Sequence, residues 1–163
     1  RILCIDPGLA KLGWGVIVAQ RGRQSLVEYG CILTRPEERF PDRLSHILRD
    51  MRDLLALYQP DEIAFEELFF ARNVTTALNV AAARGVSLAA CAEYTDKLYE
   101  YTPMQVKQAI VGYGKAEKKQ IQQMVKLILH MDHIAKPDDA ADAIAIALTH
   151  AATGPAREQF KMK

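Results

Sequence analysis

Three β-patterned segments open this chain before any helical period appears, and that order restricts the folds open to it. Arg1–Asp6 (RILCID) is a short apolar strand ending in a turn at Pro7-Gly8. Gly13–Ala19 and Gln24–Thr34 continue as β-rich stretches, the second partly alternating, which predicts an antiparallel three-strand meander. Leu44, Ile47, Leu48, Met51, Leu54, Leu55 and Tyr58 then recur at three- and four-residue steps, the period of an amphipathic helix that ends near Pro60. Asp61–Phe65 follows as a further buried strand. Such a succession cannot make a bundle or a sandwich, and it calls for an α/β domain.

The remainder repeats the alternation. Asn73–Glu93 is an alanine-rich helix whose small side chains permit close approach, either in the core or across a dimer interface. Lys97–Thr102 reads as a strand, and Pro103 suits the first turn of the next helix. Gly112-Tyr113-Gly114 breaks the chain before a second amphipathic helix with Ile121, Met124, Val125, Ile128 and Leu129 inward. Pro137-Asp138 opens the last helix, with Ala143, Ile146, Ala147 and His150 along one side. The order βββαβαβα predicts a mixed central sheet of about five strands flanked by helices. With 163 residues, half of them hydrophobic, one domain over 1–152 and a mobile tail over 153–163 are expected. No apolar run approaches the roughly 18–20 residues of a bilayer span. Cys4, Cys31 and Cys91 are odd in number and widely spaced, as in a reduced compartment, so a cytoplasmic protein is expected.

Four acids sit beside apolar sequence: Asp6 at the end of the first strand, Glu66 at the end of the fourth, and Asp139 with Asp142 in the last helix. An isolated carboxylate beside a core is costly unless something positive neutralises it. Asp139 and Asp142 lie three apart and share a helix face. Strand ends and a helix face can bring all four together at the sheet edge where α/β folds bind ligands. A hard divalent cation is the natural neutraliser, with Mg2+ favoured and Mn2+ as a substitute, whereas imidazole and thiolate ligands for zinc or copper are not evident. Two such ions roughly 3.5–4 Å apart would support in-line displacement at phosphorus. Blander readings exist: Asp6-Pro7-Gly8 is a common turn, and Asp138 with Asp139 could cap a helix. Capping is the preferred reading for Asp138 alone.

Net charge is only +1, but five lysines (Lys107, Lys115, Lys118, Lys119, Lys126) face a single acid, Glu117, between Met104 and Lys126. A basic face beside an acidic pocket can hold phosphates while the total stays near zero.

The segments IDPGLAKLGWGV, FEELFFARNVTTALNVAAARG, VKQAIVGYGKAEKKQIQQMV and DDAADAIAIALTH run from Arg1 to about Ala151. In that order they resemble the RuvC family, bacterial Holliday-junction resolvases of the RNase H-like superfamily. The resemblance implies catalytic and metal-binding roles for Asp6, Glu66, Asp139 and Asp142. It places Lys107 and Lys118 beside the cut phosphate, with Lys118 catalytic. Phe69 matches the family's base-stacking aromatic. Phe70, Arg72 and Asn73 extend the same loop as candidate DNA contacts, and Lys115 and Lys119 grip the backbone further off. Also implied are a homodimer, paired symmetric nicks in four-way DNA that leave 5′-phosphate and 3′-hydroxyl ends, a role in recombination and repair, and cooperation with RuvA and RuvB. Two other readings compete. One is a non-cleaving junction scaffold, and the other an actin-like ATPase, for which one lobe of this size is too short.

Overall fold

The computed structural model describes residues 1–68 and 73–163. Strands β1 (Ile2–Asp6), β2 (Lys11–Gln20) and β3 (Arg23–Leu33) form the antiparallel meander that the alternation predicts. Helix α1 (Phe40–Tyr58) carries the chain back, so that β4 (Glu62–Glu66) pairs parallel with β1. Helix α2 (Val74–Tyr94) then delivers β5 (Leu98–Tyr101) parallel to β4. The sheet order is β3-β2-β1-β4-β5, an RNase H-like arrangement. Helices α3 (Pro103–Val111), α4 (Lys118–Ile128) and α5 (Asp138–Thr153) complete the domain.

Strand alternation divides the core between the two sheet faces. Leu3, Ile5, Ile63 and Phe65 meet Ile47, Met51 and Leu55 of α1 and Ala83, Ala90 and Cys91 of α2. On the other face Ile2, Cys4, Ala64, Tyr99 and Tyr101 meet Val106, Ile121, Val125 and Ile144 of α3, α4 and α5. The same period of two assigns Asp6 and Glu66 to the α5 face, because they follow the parity of Cys4 and Ala64.

Helix α5 departs from the one-sided pattern expected for it. Every residue from Ala140 to His150 except Asp142 is buried, because the helix lies on β1 and β2 and is roofed by α3 and α4. Its approach to β2 depends on Gly13: a Cβ there would stand 2.0 Å from the Asp139 carbonyl oxygen. Helix α2 also corrects an expectation. Its length and apolar composition meet the measure of a bilayer span. Yet Arg84 in its middle is ion-paired to Glu100 at 2.7 Å, and its Ala83, Ala90 and Cys91 pack in the core, as in a helix of a folded domain.

The segment expected as a mobile tail is docked. A 3₁₀ turn (Gly154–Phe160) places Arg157 on both oxygens of Glu62, at 2.8 and 2.7 Å, while Met162 donates its N–H to the Leu98 carbonyl. Glu62 also accepts from His150 Nε2 at 2.7 Å, and His150 Nδ1 accepts from the Tyr101 hydroxyl at 2.6 Å. Burial lowers the His150 pKa, in keeping with this neutral ring, so His150 serves the docking of the segment. We expect Arg157→Ala to reduce the unfolding free energy by about 1–2 kcal/mol, since a half-buried carboxylate loses a bidentate partner. Urea titration reads this directly, and an unchanged midpoint would return the segment to the status of a passive tail.

Candidate active site

Parallel pairing sets the first two acids side by side. Ile5 pairs with Phe65, and Asp6 and Glu66 are the next residue on each strand. Both project to the α5 side and are only partly exposed. The Asp6 and Glu66 carboxyls are close enough that each shifts the other's pKa. Burial raises both pKa values first, and neighbouring charge second: Glu66, Asp142 and Asp139 act on Asp6, and Asp142 acts on Glu66. A buried carboxyl pair that holds a proton this firmly is one that a cation would relieve.

Helix α5 supplies the other two. Gly13, opposite Asp6 in the β1–β2 ladder, touches the Asp139 backbone, so the start of α5 is anchored directly over the strand that ends in Asp6. Asp142 lies one turn on and accepts from Lys118 Nζ at 3.2 Å. Burial raises the Asp142 pKa, and Lys118 partly offsets that. Burial works against the Lys118 ammonium, but Asp142 and Asp138 outweigh it and hold the charge in place. Asp138 is not a side-chain cap, contrary to its sequence reading. It pairs with Lys118 at 3.6 Å and Lys136 at 3.4 Å and accepts from Gln122 at 3.2 Å.

A groove of about 250 Å³ opens between these elements, lined by Glu66, Asp142, Lys107 and Lys118 over an apolar bed of Val106 and Ile121. Among the described residues no three acid, His or Cys side chains are gathered closely enough to hold a metal ion, and Asp142 is engaged by Lys118. The donor set nevertheless suits a hard divalent cation, being all oxygen, anionic and crowded enough to retain a proton.

The other candidates divide. Lys107 lines the groove. Lys115, just before α4, and Lys119, in its first turn, are exposed and in no ion pair among the described residues. Asn73 caps α2, its Oδ1 accepting from the N–H groups of Thr75 and Thr76, so that oxygen already has two partners. Phe69, Phe70 and Arg72 lie outside the described residues. Arg84 sits over the Phe65 ring at 5.9 Å, bonded to Glu100, beside the groove that Pro7 and Glu66 line. A charge inside an alanine-rich helix was the signal that an internal partner existed.

An α/β sheet with acids converging at the carboxyl ends of β1 and β4 under a third element defines a candidate phosphoryl-transfer enzyme of RNase H-like fold. The profile of the family described as "Crossover junction endodeoxyribonuclease RuvC" matches residues 2–150. A relative of that name from Alkaliphilus metalliredigens is 49% identical over 162 residues, covering 99% of each chain. Another of that name, from Finegoldia magna, is 51% identical over 150 residues, 92% of each. The solved structure of T. thermophilus RuvC in complex with Holliday junction substrate superposes with a TM-score of 0.89 at 38% identity, covering 97% of this chain and 95% of that one. This chain therefore belongs to the RuvC family of crossover junction endodeoxyribonucleases, an enzyme family.

Proposed function

We propose that the chain cuts four-way DNA junctions by metal-assisted phosphodiester hydrolysis. The observation that carries this is the convergence of Asp6, Glu66, Asp139 and Asp142 beside Lys118, in a chain whose relative is solved with a Holliday junction substrate. Asp6 and Glu66, with Asp142 and Asp139 above them, would hold Mg2+ or Mn2+. Bound there, the ions would supply a water nucleophile at neutral pH and neutralise the leaving oxygen.

The chain's own groups do the rest. Lys118, held by Asp142, faces the groove where a phosphodiester lies against the acids, and its ammonium offsets charge growing on the phosphoryl oxygens. Lys107 lines the same groove and orients the backbone. Phe69 is assigned to stacking on a base near the crossover, with Phe70, Arg72 and Asn73 completing that contact, and Lys115 and Lys119 holding phosphates further out. Two copies related by a twofold axis would place paired nicks symmetrically, with 5′-phosphate and 3′-hydroxyl products. Val74 and Leu78, 71% and 65% exposed on one side of α2, are apolar residues that such a dimer would cover. RuvA and RuvB as partners and a cytoplasmic location complete the reading.

Comparing cleavage of a synthetic four-way junction, linear duplex and RNA–DNA hybrid in Mg2+ tests the proposal. Cutting confined to the junction is expected, and preference for either other substrate would overturn it. Lys118→Ala should slow junction cutting by about 10²-fold while weakening binding far less. Equal losses in rate and affinity would reduce Lys118 to a simple backbone grip.

A further inference from the structure

A second groove, of about 390 Å³, lies on the other side of the acid cluster. Gly8 and Lys11 of the β1–β2 turn, Arg43 of α1, and Thr76 and Asn79 of α2 line it, and Asp139 joins it to the cluster. Its charge is arranged unlike that of the first groove. Lys118 there is tied to two aspartates, whereas neither Lys11 nor Arg43 joins an ion pair among the described residues.

Arg43 is also held in place. Its Nε donates to the Thr34 hydroxyl at 2.9 Å, and that hydroxyl donates to the Leu9 carbonyl while the Thr34 N–H donates to Ala10. One side of the guanidinium is thus fastened to the β1–β2 turn. Among the described residues its terminal amino groups have no hydrogen-bond partner, leaving a planar fork of the geometry that fits phosphate oxygens. Lys11 adds a mobile point charge, and Thr76 and Asn79 add neutral polar groups.

Two uncompensated cations along an open groove call for a ligand with repeated negative charge. We propose that this groove holds the phosphodiester backbone of the cut strand beyond the cleavage point, with Lys11 and Arg43 each on a phosphate. The assignment rests on the nuclease reading above and adds to it a direction. The strand passes from the Lys107–Lys118 groove, over the acids, and out along Arg43.

The test uses the full chain, Lys11→Gln, Arg43→Gln and the double variant, titrated onto a synthetic four-way junction across a range of salt. Affinity of the double variant should fall about tenfold near 0.1 M salt, and the slope of log K against log salt should shrink by close to two, roughly 0.9 per lost phosphate contact. Lys11 is exposed, so Lys11→Gln keeps the measurement interpretable should Arg43→Gln loosen the Thr34 contact. A second arm uses two junctions trimmed to end at the cleavage point, one on each side. The wild type should lose its advantage over the double variant on one of them. Unchanged affinity and slope, or an advantage retained on both trimmed junctions, would overturn the groove while leaving the nuclease reading intact. A wild type that neither binds nor cuts the junction would overturn both.

Discussion

An Asp6→Asn chain should bind a four-way junction as tightly as its parent and cut it at least about a thousandfold more slowly, a loss of about 4 kcal/mol in transition-state stabilisation. Asparagine keeps the shape at the end of β1 but removes one anionic oxygen from the set. The cations proposed to grip DNA sit on other elements, so affinity has no reason to follow. Stability should move in the opposite direction. Without divalent cation the variant should melt above the parent, because a neutral amide replaces a carboxyl that must take up a proton to be buried beside Glu66. Added Mg2+ should raise the parent's Tm by mass action and leave the variant's almost unchanged. Full nicking by Asp6→Asn in Mg2+ would sink the assignment of the acids. Equal Mg2+ shifts in the two proteins would show that the cation binds elsewhere.

Gly13→Ala should be the most damaging single methyl in the molecule. Its Cβ would meet the Asp139 oxygen at 2.0 Å and the Asp139 carbonyl carbon at 2.3 Å, both backbone atoms with no rotamer to escape into. Helix α5 must lift from β2, costing about 3 kcal/mol as an overpacked contact. Because that helix carries Asp139 and Asp142, cutting should fall even where the variant is still folded, while the Lys11–Arg43 contacts preserve much of the binding. Urea unfolding, followed by cleavage assays well below the midpoint, separates the two effects. A stable, active Gly13→Ala would mean that α5 does not need its close seat on the sheet.

The acids were legible in the sequence because each lies beside apolar sequence, and strand parity alone sends Asp6 and Glu66 to one face. Helix α2 was legible to within one residue at each end, with Asn73, read as its first residue, serving as its cap. What escaped was every interaction joining elements remote along the chain. Asp138 looked like a cap because local rules see only the helix it starts, and not Lys118 across the groove. Arg84 could not be placed without knowing that Phe65 and Glu100 pair on adjacent strands. The docking of Arg157 required Glu62 to be half-covered, which its position at a strand start does not reveal. All-round burial of α5 was missed for the same reason: its apolar period is weak because its small residues fit on every side.

The four acids come from the first strand, the fourth strand and the last helix, so they meet only when nearly the whole chain is present. A protein still leaving the ribosome can finish the meander and β4 while Asp139 and Asp142 are unmade, and domains fold as units. On the proposed reading, nascent or prematurely terminated copies are harmless to the chromosome. On that reading, competence to nick waits for α5 to be made and docked.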